Sequence, residues 1–356
     1  MSAPRTCGSL ADYLHEAQSR GAVPAAFRLA ATEHLTGGRT GARVTALRPG
    51  YVLKVLPRVT WRSSAMQIAD AGEGPLWLSG ATRELPAPLE CPTVDVALHT
   101  GHDEWWVLMR DVSAHIRPRG GFTESDERTL LAGLARLHAH YWGGRHGLHD
   151  LPLPPAHGPT TALAEPAAFV AGRAATSAGW VAACASDFAP LRALLPTFLE
   201  MLSPADADFF LQFTADRSWH RGLDAATATL NHGDLRRANI ALADDTVCLI
   251  DWEFASRAPA ACDLQWHWFL QYWAYAPSGD GSRAHEAARD FYVAELESVL
   301  GGPIDRDEFR RSSELAWIRA LCMVGFCLAD TGNPAAPEAR QRAAAAVRLA
   351  RTTLGA

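Results

Sequence analysis

Apolar residues recur every three or four positions over 124–142, at Leu130, Leu131, Leu134, Leu137 and Tyr141, which predicts a helix with one buried face. Upstream the pattern is different. Residues 28–35, 42–47 and 51–56 are short strand-like runs, separated by TGGRTG (36–41) and RPG (48–50), whose glycines and proline predict turns. Two further runs, 95–100 and 104–109, flank the turn Gly101-His102-Asp103. A weaker helical pattern covers 66–79, and Ser9 is placed to cap a first helix through Leu10 and Leu14 that ends near Gly21. Together these predict a five-stranded antiparallel sheet with one inserted helix over residues 25–110.

Beyond the 124–142 helix, LPLPPAHGP (151–159) reads as a Pro-rich loop, and 166–213 as two or three helices, one starting at Ser203-Pro204. Short strand-like runs follow at 228–231, 240–242 and 247–250, and from Asp263 onward the chain is helical again. The fold class expected is α+β, with a small β-rich lobe (1–112) followed by a larger, mainly helical lobe (113–356). A length of 356 residues suits two such lobes at about 150 residues per domain.

Composition narrows the function classes. Hydrophobic residues make up 48% and charged residues 20%, an ordinary balance for a folded chain and not for a disordered one. Net charge is −6, and no block of like charge gives a footprint for nucleic acid. No apolar run reaches the roughly 18–20 residues of a membrane span, and the first residues lack the apolar stretch of a secretory signal. Seven cysteines with no CxxC pair read as buried thiols in a reducing cytoplasm, not as a disulfide frame or a zinc site, and a cytoplasmic location is expected. Oligomeric state is not legible.

Of 33 basic residues, 32 are arginine. The one lysine, Lys54, marks a position where a compact ammonium serves and a planar fork does not. Asparagine is nearly as scarce: Asn231, Asn239 and Asn333. The first two bracket the most informative segment, NHGDLRRANI (231–240), followed by CLIDWE (248–253). Asp251 ends a strand and Asn239 offers an amide oxygen; both are hard donors suited to Mg²⁺. Asp234 is a second carboxylate, available to take a proton from an attacking hydroxyl. Metal on the phosphates, one base and tight positioning are what phosphoryl transfer needs.

These residues, HGDxxxxN followed by IDWE, resemble the aminoglycoside phosphotransferase/choline kinase-like family, relatives of the protein kinases. LARLHAHYWG (134–143) is similar to the family's helix before the catalytic loop, WVLMRDV (106–112) to its inter-lobe hinge, and YVLKV (51–55) to the strand bearing a phosphate-binding lysine. The resemblance implies a bilobal protein kinase-like fold. It implies Asp234 as base, Asn239 and Asp251 as Mg²⁺ ligands, and Lys54 on the α- and β-phosphates of ATP or GTP. Glu73 is the candidate partner of Lys54, although Gly72, Gly74 and Pro75 around it disfavour a helix. Thr36, Gly37 and Gly38 would cover the phosphates, and Met109, Asp111 and Val112 would hold the purine. Arg236 stands where the family often has histidine and protein kinases have lysine, so it is expected to stabilise charge on the γ-phosphoryl group. His232 and Glu253 are expected to support the loop, and Arg237 to face solvent. Asp263, Trp266 and Trp273 are the expected acceptor-facing residues. Asp263 lies only twelve positions beyond Asp251, too few for the long activation segment of a protein kinase. The activity implied is a small-molecule kinase acting on a hydroxyl of an amino sugar, aminoglycoside-like compound or amino alcohol. The alternative is a nucleotide-binding regulator or pseudoenzyme of the same fold.

Overall fold

A computed structural model of the chain describes residues 4–35, 42–59, 63, 65, 66, 68, 70, 72–117, 122–170, 189–216, 218–243, 245–274, 281–330 and 337–355. The N-terminal part begins with β1 (Thr6–Cys7) and α1 (Leu10–Ser19). Ser9 caps α1 by accepting the N–H of Asp12 at 3.1 Å. The strands β2 (Ala31–Leu35), β3 (Arg43–Arg48) and β4 (Tyr51–Pro57), helix α2 (Glu73–Leu78), and strands β5 (Leu89–Glu90), β6 (Thr93–His99) and β7 (Glu104–Arg110) follow. Among the described residues the sheet has six strands in the order β1-β6-β7-β4-β3-β2: the five expected over 25–110 and one more. The extra strand is β1, whose two residues pair in parallel with Leu98 and His99. So short a strand has no alternation to read in the sequence. The inserted helix is also shorter than expected: among the described residues it is confined to Glu73–Leu78.

Strand alternation sorts the two faces of the sheet. Leu53 and Val55 pack with Leu47, Ala97 and Leu108 against Tyr13, Leu14 and Ala17 of α1. Val52 and Leu56 lie on the opposite face with Trp77 of α2, Trp105 and Met109. Lys54 shares this second face, in the middle of the sheet, with Val44 opposite it on one side and Val107 on the other.

The helical part contains α3 (Glu124–Tyr141), α4 (His157–Val170), α5 (Ala189–Glu200), α6 (Pro204–Ala215) and α7 (His220–Asp224). Strands β8 (Thr229–Asn231), β9 (Ile240–Ala243), β10 (Thr246–Leu249) and β11 (Ser256–Ala258) come next, then α8 (Ala261–Trp268), α9 (Gly281–Leu300), α10 (Arg306–Val324) and α11 (Pro337–Leu354). Thr123 and Asp126 form a reciprocal capping box at the start of α3, and Ser203 caps α6 just before its first-turn proline. The predicted Pro-rich loop ends earlier than expected, because α4 already begins at His157. One large core joins α3, α9 and α10, with Leu130, Leu134, Leu137, Tyr292 and Leu321 fully buried or nearly so. The two parts are stitched by β5, which pairs in parallel with β10 (Leu89 opposite Val247). By length and composition Arg306–Ala329 could cross a membrane, but 72% of its apolar window is buried inside the protein.

Candidate active site

The loop between β8 and β9 is built on one buried carboxylate. Asp263, in the first turn of α8, accepts the backbone N–H of His232 and of Gly233, each at 2.8 Å. Burial alone would raise its pKa, but hydrogen bonding to His138, the nearby His232 and the Gly233 amide bring it below the usual value. Asn231 locks the same corner: its Oδ1 accepts from the Asp263 amide at 3.1 Å and its Nδ2 donates to Ala258 at 2.8 Å. Gly233 has φ 85°, and a Cβ there would lie 2.0 Å from the Phe254 carbonyl oxygen, so only glycine fits. Asp263 is 0% exposed. It braces this loop from behind and does not face an acceptor, which corrects the expectation drawn from the sequence. The signal available was its place at a helix start, which marks a capping carboxylate as readily as a binding one.

His232 serves the loop as expected. Its Nδ1 accepts the Asp234 N–H at 3.2 Å, so its Nε2 carries the proton and donates to Ile250 O at 3.0 Å. Burial keeps the ring neutral by lowering its pKa. A second support went unseen in the sequence. His267 of α8 donates from Nδ1 to Leu235 O at 3.1 Å and from Nε2 to Glu127 at 3.0 Å. With both nitrogens donating, it is an imidazolium paired with a buried carboxylate.

The Asp234 carboxylate is then held on both oxygens. Oδ1 accepts the indole N–H of Trp266 at 3.1 Å; Oδ2 accepts Asn239 Nδ2 at 2.9 Å and lies 3.1 Å from Arg236 Nε. Trp266, expected at the acceptor, is thus bonded to the carboxylate expected to be the base. The Trp273 side chain lies outside what the structure describes. With its NH₂ turned to Asp234, Asn239 presents its amide oxygen on the other side. Asn239 and Asp251 flank the β9–β10 hairpin, in which Ile240 faces Leu249, and the Ile250 N–H donates to Asn239 O at 3.0 Å. The hairpin therefore delivers both oxygen donors to one end. Asp251 adopts a left-handed backbone, φ 67°.

Lys54 closes the site from the sheet. Its Nζ lies 2.7 Å from Glu73, 2.8 Å from Asp251 and 3.2 Å from Glu253. The residue is only 6% exposed. Burial pulls the ammonium's pKa down, but the three carboxylates outweigh it and hold it well above the usual lysine value. Burial raises Glu73 in turn, and Glu73 Oε1 has no hydrogen-bond donor among the described residues. Gly74 and Pro75 do not break α2. Pro75 sits in the first turn, where no N–H is needed. A Cβ at Gly74 would come 2.6 Å from the Trp105 ring, so glycine lets α2 close on the sheet and bring Glu73 to Lys54.

At the end of β7, Met109 is buried opposite Val52. The Asp111 N–H donates to Gly50 O at 2.9 Å, and its carboxylate accepts from Ser113 N and Oγ. Burial opposes ionisation there, but the Ser113 bonds and Arg48 bring the carboxyl below its usual range. Asp111 therefore shapes the turn after β7, with its own amide turned toward the β3–β4 turn. The Val112 carbonyl accepts from His115 N at 2.9 Å. Thr36, Gly37 and Gly38 lie outside the described residues.

Residues 34–300 match the family model described as the phosphotransferase enzyme family. The chain belongs to that family. The fold is shared with a candidate aminoglycoside phosphotransferase from Ralstonia eutropha, at 16% identity and a TM-score of 0.50, covering 96% of this chain and 98% of that one. Also similar are an aminoglycoside phosphotransferase of Streptomyces rimosus in complex with ADP and streptomycin (16% identity, TM-score 0.44, 87% and 98% covered) and a Plasmodium vivax ethanolamine kinase (12% identity, TM-score 0.44, 88% and 83% covered). No curated protein sequence matches significantly. The protein is a phosphotransferase with a bilobal, protein kinase-like α+β fold.

Proposed function

We propose that this phosphotransferase is a small-molecule kinase that moves the γ-phosphoryl group of MgATP or MgGTP to a hydroxyl of an amino sugar, aminoglycoside-like compound or amino alcohol. The observation that carries this reading is the meeting of Lys54 from the sheet with Asp251 from the helical part, 197 residues apart in sequence and 2.8 Å apart in space. Residues 1–112 are read as the nucleotide-binding lobe and 113–356 as the lobe holding the catalytic loop and the acceptor. Lys54, steadied by Glu73, grips the α- and β-phosphates, and Met109, Asp111 and Val112 border the purine.

The donor set fits magnesium. Oxygens of Glu73, Asp251 and Glu253 lie within 4.8 Å of one another around a single ammonium, which leaves excess negative charge. Asp251 and the amide oxygen of Asn239 are the residues that would hold the ion, which supplies charge neutralisation on the phosphate oxygens. Asp234 orients the acceptor hydroxyl and accepts its proton, and Arg236, 34% exposed beside it, stabilises the transferring group. The short connection between Asp251 and Asp263 is filled by the turn Trp252–Phe254 and by β11, an arrangement that favours a small acceptor over a peptide. Cys7, Cys91, Cys248 and Cys262 are free thiols, in keeping with a reducing, cytoplasmic setting.

Phosphorus NMR of MgATP and MgGTP mixed with a panel of hydroxylated amines tests the reading. A new phosphate monoester is expected with at least one acceptor. Asp234→Asn is expected to form it at least ~10²-fold more slowly while still binding nucleotide. Nucleotide binding with no product from any acceptor, or a fully active Asp234→Asn, contradicts it.

A further inference from the structure

Away from the nucleotide cleft, α9 and α10 part to leave a groove of about 530 Å³, closed at one end by the last turn of α11 and at its base by Gln265 of α8. That volume lies in the range of small-molecule sites. Among the described residues, no residue of the catalytic loop, of β4 or of the Asp251 turn lines it. Its floor is apolar, formed by Val293, Phe309 and Trp317, all buried.

Three side chains that line the groove carry buried polar atoms without hydrogen-bond partners among the described residues: Gln265 Oε1, His285 Nε2 and Ser313 Oγ. Gln265 is only 4% exposed. A buried acceptor with no donor is costly, and most such groups in folded proteins find a partner. His285 packs edge-on against Trp268 at 4.7 Å. Burial and the neighbouring Arg289 push its pKa down to about 4, so the ring is neutral near pH 7. The arginines at the rim already have acids: Arg289 pairs with Asp290 and Arg310 with Glu314, each at 2.9 Å, and Arg306 pairs with Glu297. An anionic ligand would gain little from charges already met at an exposed rim. An apolar floor, one acceptor and two groups that can either donate or accept call for a ligand with O–H or N–H donors and no charge.

We infer that the α9–α10 groove is a second ligand site, separate from the phosphotransfer centre, for an uncharged small molecule with a flat apolar body bearing hydroxyl or amide N–H groups. The inference stands independently of the acceptor assignment. Gln265 neighbours Trp266 on α8, so the groove and the catalytic loop share one helix.

The test is an NMR titration of the full chain with 4-hydroxybenzamide, with 4-hydroxybenzoate as the charged counterpart. The amide is expected to saturate with a dissociation constant on the order of 1 mM, as suits a probe of this size, and the benzoate to bind at least about tenfold more weakly. Gln265→Leu is expected to weaken the amide about fivefold. Ser313→Trp, at a half-buried position on the wall, fills the groove and is expected to abolish binding. Melting temperatures establish that each variant is folded, and should Gln265→Leu fail to fold, Ser313→Trp alone decides. Absence of saturation, equal binding of the benzoate, or wild-type affinity in Ser313→Trp overturns the proposal.

Discussion

Asp234 shows how much of a site is set by the residues around one carboxylate. Trp266 and Asn239 fix its two oxygens from opposite sides, at 3.1 and 2.9 Å. Trp266→Phe keeps an aromatic ring and removes the donor. A hydrogen bond to a charged group contributes about 1.5–3 kcal/mol, so turnover is expected to fall roughly tenfold or more, with the nucleotide KM unchanged, as read by steady-state kinetics. An unchanged turnover would show that the indole only fills space. At this scale the sequence was legible where chemistry is local. Asp234, Asn239 and Asp251 lie on one short stretch with fixed spacing, and the lone Lys54 stood out by scarcity. Asp263, expected at the acceptor, braces the loop instead, and Trp266 donates to Asp234. Their partners are the Asp234 side chain and the His232 and Gly233 amides, about thirty residues away, and only the folded chain shows which way they point.

The elements that position these residues depend on the close approach of α2 to Trp105 and on the buried Glu127–His267 pair. Gly74→Ala would force α2 off Trp105, since the added Cβ begins 2.6 Å from the ring. The Lys54–Glu73 contact would loosen, so the KM for MgATP is expected to rise severalfold and the melting temperature to fall, the cost of such overpacking being about 1–3 kcal/mol. The Glu127–His267 pair ties α3 to α8 and to Leu235. Burial opposes both charges, yet mutual attraction raises His267 above 6.5 and lowers Glu127 below 4.5. The stability from His267 is therefore complete below about pH 6.5 and is lost as pH rises through its raised folded pKa. That from Glu127 is present above about pH 4.5 and is lost as pH falls through its lowered one. Glu127→Gln is expected to flatten the alkaline decline in melting temperature measured between about pH 6 and pH 9; an unaltered decline would remove the pair from this role. Periodicity predicted α3 itself but not that it would bury Glu127 and His138, because a polar residue on an apolar stripe has no signature until its partner packs against it. The helix at Glu73 was obscured for a related reason. Gly74 reads as a breaker unless Trp105 is known to lie against it.

For the whole molecule, a sheet of six described strands and a helical part meet where Lys54 of one is held by Asp251 and Glu253 of the other. The order of strand-rich and helix-rich segments made this two-part architecture readable. The stitching by β5 and the edge strand β1 was not, since two-residue strands carry no pattern. Under the proposed function these parts converge on one metal–nucleotide complex. Calorimetric titration of ATP into the wild type and Asp251→Asn, each with and without Mg²⁺, tests it most directly. Magnesium is expected to strengthen binding to the wild type at least tenfold, and Asp251→Asn to lose this gain while staying folded. Binding indifferent to magnesium in the wild type, or an undiminished gain in the variant, would contradict it.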